Sequence, residues 1–164
     1  MPTARRLSQP VVNTSLFTTV EIQVNQLDNC CTLCAAQDRE GLLVGTFEPT
    51  IFKRNWETFL DEGDGAIIGL YHAGLLCGIL GGVIVCDSQT GSLIGKTVFY
   101  YLRKDVLTRS AALVLFTGFQ RWAFARGAIC VMLGVPIDGF QPRLDPLLQE
   151  YGYQAHTMTY TKLL

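Results

Sequence analysis

The chain has 164 residues, 49% of them hydrophobic and 16% charged, with a net charge of −1. That length suits one domain able to bury about two thirds of its unfolded surface without disulfides or metal. A charge so near neutral, with no block of like charges, argues against a nucleic-acid groove built on Lys and Arg contacts to phosphate. The sparsely charged surface leaves room for a homo-oligomer or a larger assembly.

Residues 1–17 read as an irregular arm, with Pro2, Pro10 and the polar run Asn13 to Ser15, and the arm is the expected route of assembly. The residues after Arg6 are interrupted by Ser8, Gln9 and Pro10, so no signal-peptide core forms and a reducing cytoplasmic setting is expected. From Thr18 to Val24 the alternation of Val20, Ile22 and Val24 with Thr19, Glu21 and Gln23 predicts a half-exposed strand. Asn25 is placed to N-cap a helix reaching about Asp38. A second helix is announced by Glu48-Pro49 and carried by Ile51, Phe52, Trp56, Phe59 and Leu60, before Asp61 to Gly65 break it.

Gly65 to Cys86 contains no charge, and Gly74, Gly78 and Gly82 repeat as G-x-x-x-G, so the segment imitates a membrane span. Its glycines, the turn at His72-Ala73-Gly74, the β-branched Ile67, Ile68, Ile79, Val83, Ile84 and Val85, and the acidic flanks Asp64 and Asp87 instead predict a hairpin of two buried strands. A turn at Ser88 to Gly91 leads into a third strand, from Leu93 through Val98, Phe99, Tyr100 and Tyr101 to Leu102. In that strand Tyr100 and Tyr101 point to opposite faces.

After Arg103-Lys104-Asp105, the small side chains of Thr108-Arg109-Ser110-Ala111-Ala112 let a ligand approach the backbone where a helix opens and its N–H groups lack partners. A diphosphate fits such a place, and Arg109 is a candidate for pairing with it. Leu115, Phe116, Phe119, Trp122 and Ala123 give that helix one apolar stripe, and Gly127 closes it. Ala128 to Val135 carries no charge and predicts a central strand buried on both faces. The six cysteines, at 30, 31, 34, 77, 86 and 130, lack the paired spacing of a zinc site. They read as buried free thiols, with no metal expected.

The stretch Leu107 to Ala112, the run Arg121-Trp122-Ala123-Phe124-Ala125-Arg126-Gly127-Ala128 and the segment Leu147 to Tyr153 together resemble the GNAT superfamily of acetyl-CoA-dependent N-acyltransferases, in a short, phage-type form. The likeness extends in element order over roughly residues 20–164, so residues 18–164 are expected to form one GNAT-like domain, with a last strand ending at Tyr160-Thr161-Lys162. It implies an α/β fold with a mixed, mainly antiparallel sheet of six or seven strands and about four helices. It implies acetyl-CoA as cofactor, with the pantetheine arm held by the main chain at Tyr101, Leu102 and Arg103 and the diphosphate at Thr108, Arg109, Ser110, Ala111 and Ala112. The cofactor turn is degenerate: Leu107 stands where the family has Arg or Gln, and Thr108, Ser110 and Ala112 where glycines are common. Leu148 occupies the position of the family's tyrosine acid, which leaves Tyr151 as the candidate proton donor; Tyr101 is a candidate base, beside Tyr100, Asp105 and His156. The resemblance thus implies N-acetyl transfer to an unknown amine. The alternative is a non-catalytic GNAT-like structural or interaction subunit, for instance of a phage particle.

Overall fold

The computed structural model describes residues 16–40, 45–134, 141–156 and 162. The chain divides into two compact units, one of Val12–Gly134 and one of Met1–Val11 with Val135–Leu164. The first holds β1 (Phe17–Glu21), α1 (Leu27–Arg39), α2 (Pro49–Glu62), β2 (Gly65–His72), β3 (Leu75–Cys86), β4 (Leu93–Leu102), α3 (Arg109–Ala125) and β5 (Cys130–Met132). The second holds α4 (Gln141–Glu150). The expected arm lies outside the described residues through residue 15, as do Tyr160 and Thr161 of the last strand expected from the resemblance, and Phe17 already belongs to β1.

Among the described residues the strands run in the order β1-β2-β3-β4-β5. The first three neighbours pair antiparallel, and β4 pairs parallel with β5. Six or seven strands were expected; the described residues form five. The uncharged run 65–86 is a hairpin, whose turn places Ala73 at φ 50° and Gly74 at φ 78°, the left-handed pair that a tight hairpin matched to strand twist requires. No helix among the described residues is long and apolar enough to cross a membrane.

Two cores flank the sheet. On one face α1 presents Leu27, Cys30, Leu33 and Cys34, and α2 presents Trp56, against Ile67, Ile79 and Tyr101. The Trp56 ring lies edge-on to Phe99 at 5.4 Å. The other face receives α3, where Phe116 meets Tyr100 edge-on at 5.5 Å. Gly82 is needed there, because a Cβ on it would run into the Phe119 ring.

Three expectations are corrected. A 3-10 turn at Val24–Gln26 follows the first strand and moves the start of α1 past Asn25, and Gln26 stands at the N-cap position without a side-chain cap bond to the helix. The described part of the run, Ala128 to Gly134, gives only a three-residue strand at the end of the described sheet, with Ile129 and Met132 exposed, because apolar composition specifies burial demand without naming a partner. Cys86 and Cys130 are exposed rather than buried.

Candidate functional site

The geometry converges on the far half of β4. Its pairing with β3 slips between Gly81 and Gly82, so that Gly81 faces Phe99 and Gly82 faces Thr97. Val98 is the extra residue of a β-bulge, a device that bends a strand and re-aims the residues beyond it. β5 accompanies β4 only over Ile94, Gly95 and Lys96. There the Thr97 hydroxyl closes the join, accepting from the Gly134 N–H at 2.7 Å. Beyond it β4 has no strand beside it on that side among the described residues.

Past the bulge the Arg103 N–H donates to the Cys77 C=O at 2.9 Å. By the alternation of an antiparallel ladder, the main chain of Tyr101 also faces β3, whereas that of Tyr100 and Leu102 faces away. The C-terminal turn of α1 closes on this edge from one face of the sheet. Gln37, the buried polar residue among those described, donates Nε2–H to the Tyr100 C=O at 3.4 Å. One turn later, Glu40 Oε1 accepts the Tyr101 hydroxyl at 2.9 Å, and Lys104 Nζ lies 3.7 Å from the same carboxylate oxygen. Burial first, and then the hydrogen bond to Glu40, push the Tyr101 phenol up to about 12. At neutral pH Tyr101 is therefore a neutral donor holding a carboxylate in place, which sets it against the role of base.

On the other face α3 opens. Thr108 is its N-cap: its hydroxyl accepts the Ala111 N–H at 3.1 Å, and its C=O accepts the Ala112 N–H, also at 3.1 Å. Ala111 and Ala112 are fully buried with their N–H groups already bonded. The first-turn N–H groups of Arg109 and Ser110 have no acceptor within the helix, and they lie at the positive end of its dipole beside the exposed Arg109 side chain. Arg103, expected at the cofactor arm, is closed on Asp105, with Nε 2.9 Å from Oδ1 and an ion pair from Nη2 to Oδ2. Leu102 is buried by its side chain, and its contribution to the edge is main chain. Tyr151 belongs to the second unit, where its N–H bonds to the C=O groups of Leu147 and Leu148 and Gly152 comes next at φ 84°.

The sequence thus locates the strand end and the helix start, and the structure brings Tyr101, Leu102 and Arg103 together there. Gln37 and Glu40 were not anticipated. Gln37 continues the spacing of Leu27, Cys30 and Leu33 or Cys34, so helical period alone marks it as a buried polar group in need of a partner. The thiols of α1 do not join the site: burial raises Cys30 and Cys34 to about 12, which leaves them protonated and unreactive.

No family model matches the sequence, and no curated protein does. Solved structures match along nearly the whole chain. A ribosomal-protein-alanine N-acetyltransferase from Brucella melitensis biovar Abortus is 15% identical, with 91% of this chain and 99% of that one covered at a TM-score of 0.68. AAC(6')-Iy, solved with the CoA bisubstrate analogue CoA-S-monomethyl-acetylneamine, is 16% identical over 90% of this chain and 99% of that one, TM-score 0.68. A GNAT family acetyltransferase from Staphylococcus aureus is 13% identical over 91% and 99%, TM-score 0.66. At these identities the likeness is one of fold: the chain has the α/β architecture of the GNAT acetyltransferases.

Proposed function

We propose that the chain is an acetyl-CoA-dependent N-acetyltransferase acting on a primary amine. The observation that carries this reading is the bulged β4, whose far half leaves its parallel neighbour and faces outward with the main chain of Leu102, next to the N-terminus of α3. The residues present fit the cofactor. Leu102 offers an N–H and a C=O to an amide-bearing arm, and the N–H groups of Arg109 and Ser110 with the Arg109 guanidinium suit a diphosphate. Bound acetyl-CoA supplies an acyl group activated as a thioester. Holding that group beside the acceptor is worth a large share of the rate. On the α1 side, Glu40 attracts the acceptor ammonium and takes its proton as the nitrogen becomes a nucleophile. Tyr101 fixes the orientation of that carboxylate.

A second reading, a non-catalytic subunit with the same fold, is favoured by two groups already spent inside the protein: Arg103 on Asp105 and the Tyr100 C=O on Gln37. Calorimetric titration with acetyl-CoA, followed by turnover with a panel of polyamines and peptide amines, separates the two. The enzyme reading predicts saturable binding and a Glu40→Gln variant that binds acetyl-CoA normally while turnover falls about a hundredfold. A wild-type protein that does not bind acetyl-CoA supports the subunit.

A further inference from the structure

At the opposite side of the described sheet from β5, with β2 and β3 between it and β4, strand β1 pairs with β2 alone among the described residues. The Ile22 N–H donates to the Ile67 C=O at 2.8 Å, continuing the register of Glu21 with Ile68. By alternation the main chain of Thr18 and Val20 faces β2, and that of Phe17, Thr19 and Glu21 faces away from the sheet. A cavity of about 320 Å³ lies along this edge, lined by Thr19, Val20 and Glu21 of β1 and by Arg121, Trp122 and Arg126 of α3. Thr19 faces Gly118 of α3, and Glu21, two residues on, shares that face of the strand. Gly118 lets the helix come this close, since a Cβ there would stand 3.2 Å from Thr19 Cγ2 and 3.0 Å from Ile68 Cγ2.

The chemistry of the helix wall is that of an anion receiver. Arg126 is held rigid, its Nε bonded to the Gly63 C=O at 2.9 Å and its guanidinium 4.9 Å above the Trp122 ring. Its Nη2 makes a long ion pair with Glu21 Oε1 at 3.9 Å, too far for a hydrogen bond. Exposed Arg121 has no carboxylate within ion-pair distance among the described residues. The Trp122 indole N–H is buried and finds no acceptor among the described residues, and the Trp122 side chain borders the cavity. The two guanidinium groups outnumber the single carboxylate of Glu21 in the lining.

We propose that the β1 edge and the adjoining face of α3 form a docking groove for an extended acidic segment of a partner protein. The segment adds a strand to β1 through the outward main chain of Phe17, Thr19 and Glu21, and it places one of its alternate carboxylates by Arg121 and Arg126, near the Trp122 ring. The chain's own residues 1–15 contain Arg5 and Arg6 and no acidic residue, so their charge is the wrong one for this wall. This surface is independent of the acetyltransferase reading.

The test uses the full chain, labelled with nitrogen-15, and a peptide of about six residues alternating glutamate and valine, with a lysine-valine peptide of equal length as control. The expected result is binding of the acidic peptide alone, with a shift of the Trp122 indole N–H signal and none at Trp56. Arg121→Ala, an exposed change that leaves the core intact, should weaken binding about tenfold or more. Thr19→Pro removes an outward N–H at no cost to the β1–β2 ladder and should abolish binding in a folded protein. Equal binding of both peptides, no binding of either, an Arg121→Ala variant that binds normally, or a sedimentation profile showing that a second copy of the chain occupies this edge would each overturn the proposal.

Discussion

Tyr101 shows how one side chain can change role between sequence and structure. Its alternation with Tyr100 was legible: one ring meets Phe116 and the other reaches Glu40. Its partner was not, because the two are separated by 61 positions and no local pattern distinguishes a helix-end glutamate with a phenol on it from one in water. The hydrogen bond makes a pH prediction whose sign is set by burial. Folding raises the Tyr101 phenol from 10.0 to about 12, so the neutral form is favoured by the native state. Its contribution is complete below pH 10 and is lost as pH rises toward 12. Tyr101→Phe keeps the ring and removes the bond to Glu40, which should lower stability by about 1 kcal/mol at neutral pH. In urea unfolding the gap between wild type and variant should stay constant up to pH 10 and shrink above it; a gap that widens with pH contradicts the assignment.

At the scale of elements, β4, α2 and α3 were readable because their signals are local: the β-branched and aromatic run of β4, Pro49 in the first turn of α2, the apolar stripe of α3, and Gly63 and Gly127 past the helix ends at φ 77° and 82°, whereas Thr108 as the cap of α3 emerged only in the structure. The hairpin was readable from its turn, but not the strain there. Ala73 carries a Cβ at φ 50°, which opposes the left-handed conformation. Ala73→Gly should therefore stabilise the protein by about 0.5–1 kcal/mol, the relief of strain offset in part by the added freedom of the unfolded chain. A lower denaturation midpoint for that variant would show that the turn is not held as described. What failed was β5, since the run Ala128 to Val135 advertises burial strongly, while pairing with β4 is limited to three residues by the Thr97 closure and the bulge next to it. Those are tertiary facts with no trace in local composition.

For the whole molecule, element order carried the fold reading further than residue identity did. Identities of 13% to 16% to the solved acetyltransferases leave few positions in common, yet TM-scores of 0.66 to 0.68 show the same arrangement of elements. The candidate cofactor site is correspondingly one of main chain more than of side chains, assembled from the Leu102 edge and the Arg109 and Ser110 N–H groups, which is why degenerate residues at the turn are compatible with it. Hydrogen exchange of the full chain with and without acetyl-CoA reads those amides directly. Exchange should slow at Leu102, Arg109 and Ser110, with the amides of Phe17, Thr19 and Glu21 on the β1 edge unchanged. Unaltered exchange at all three at saturating acetyl-CoA, or protection confined to other segments, would contradict that cofactor site.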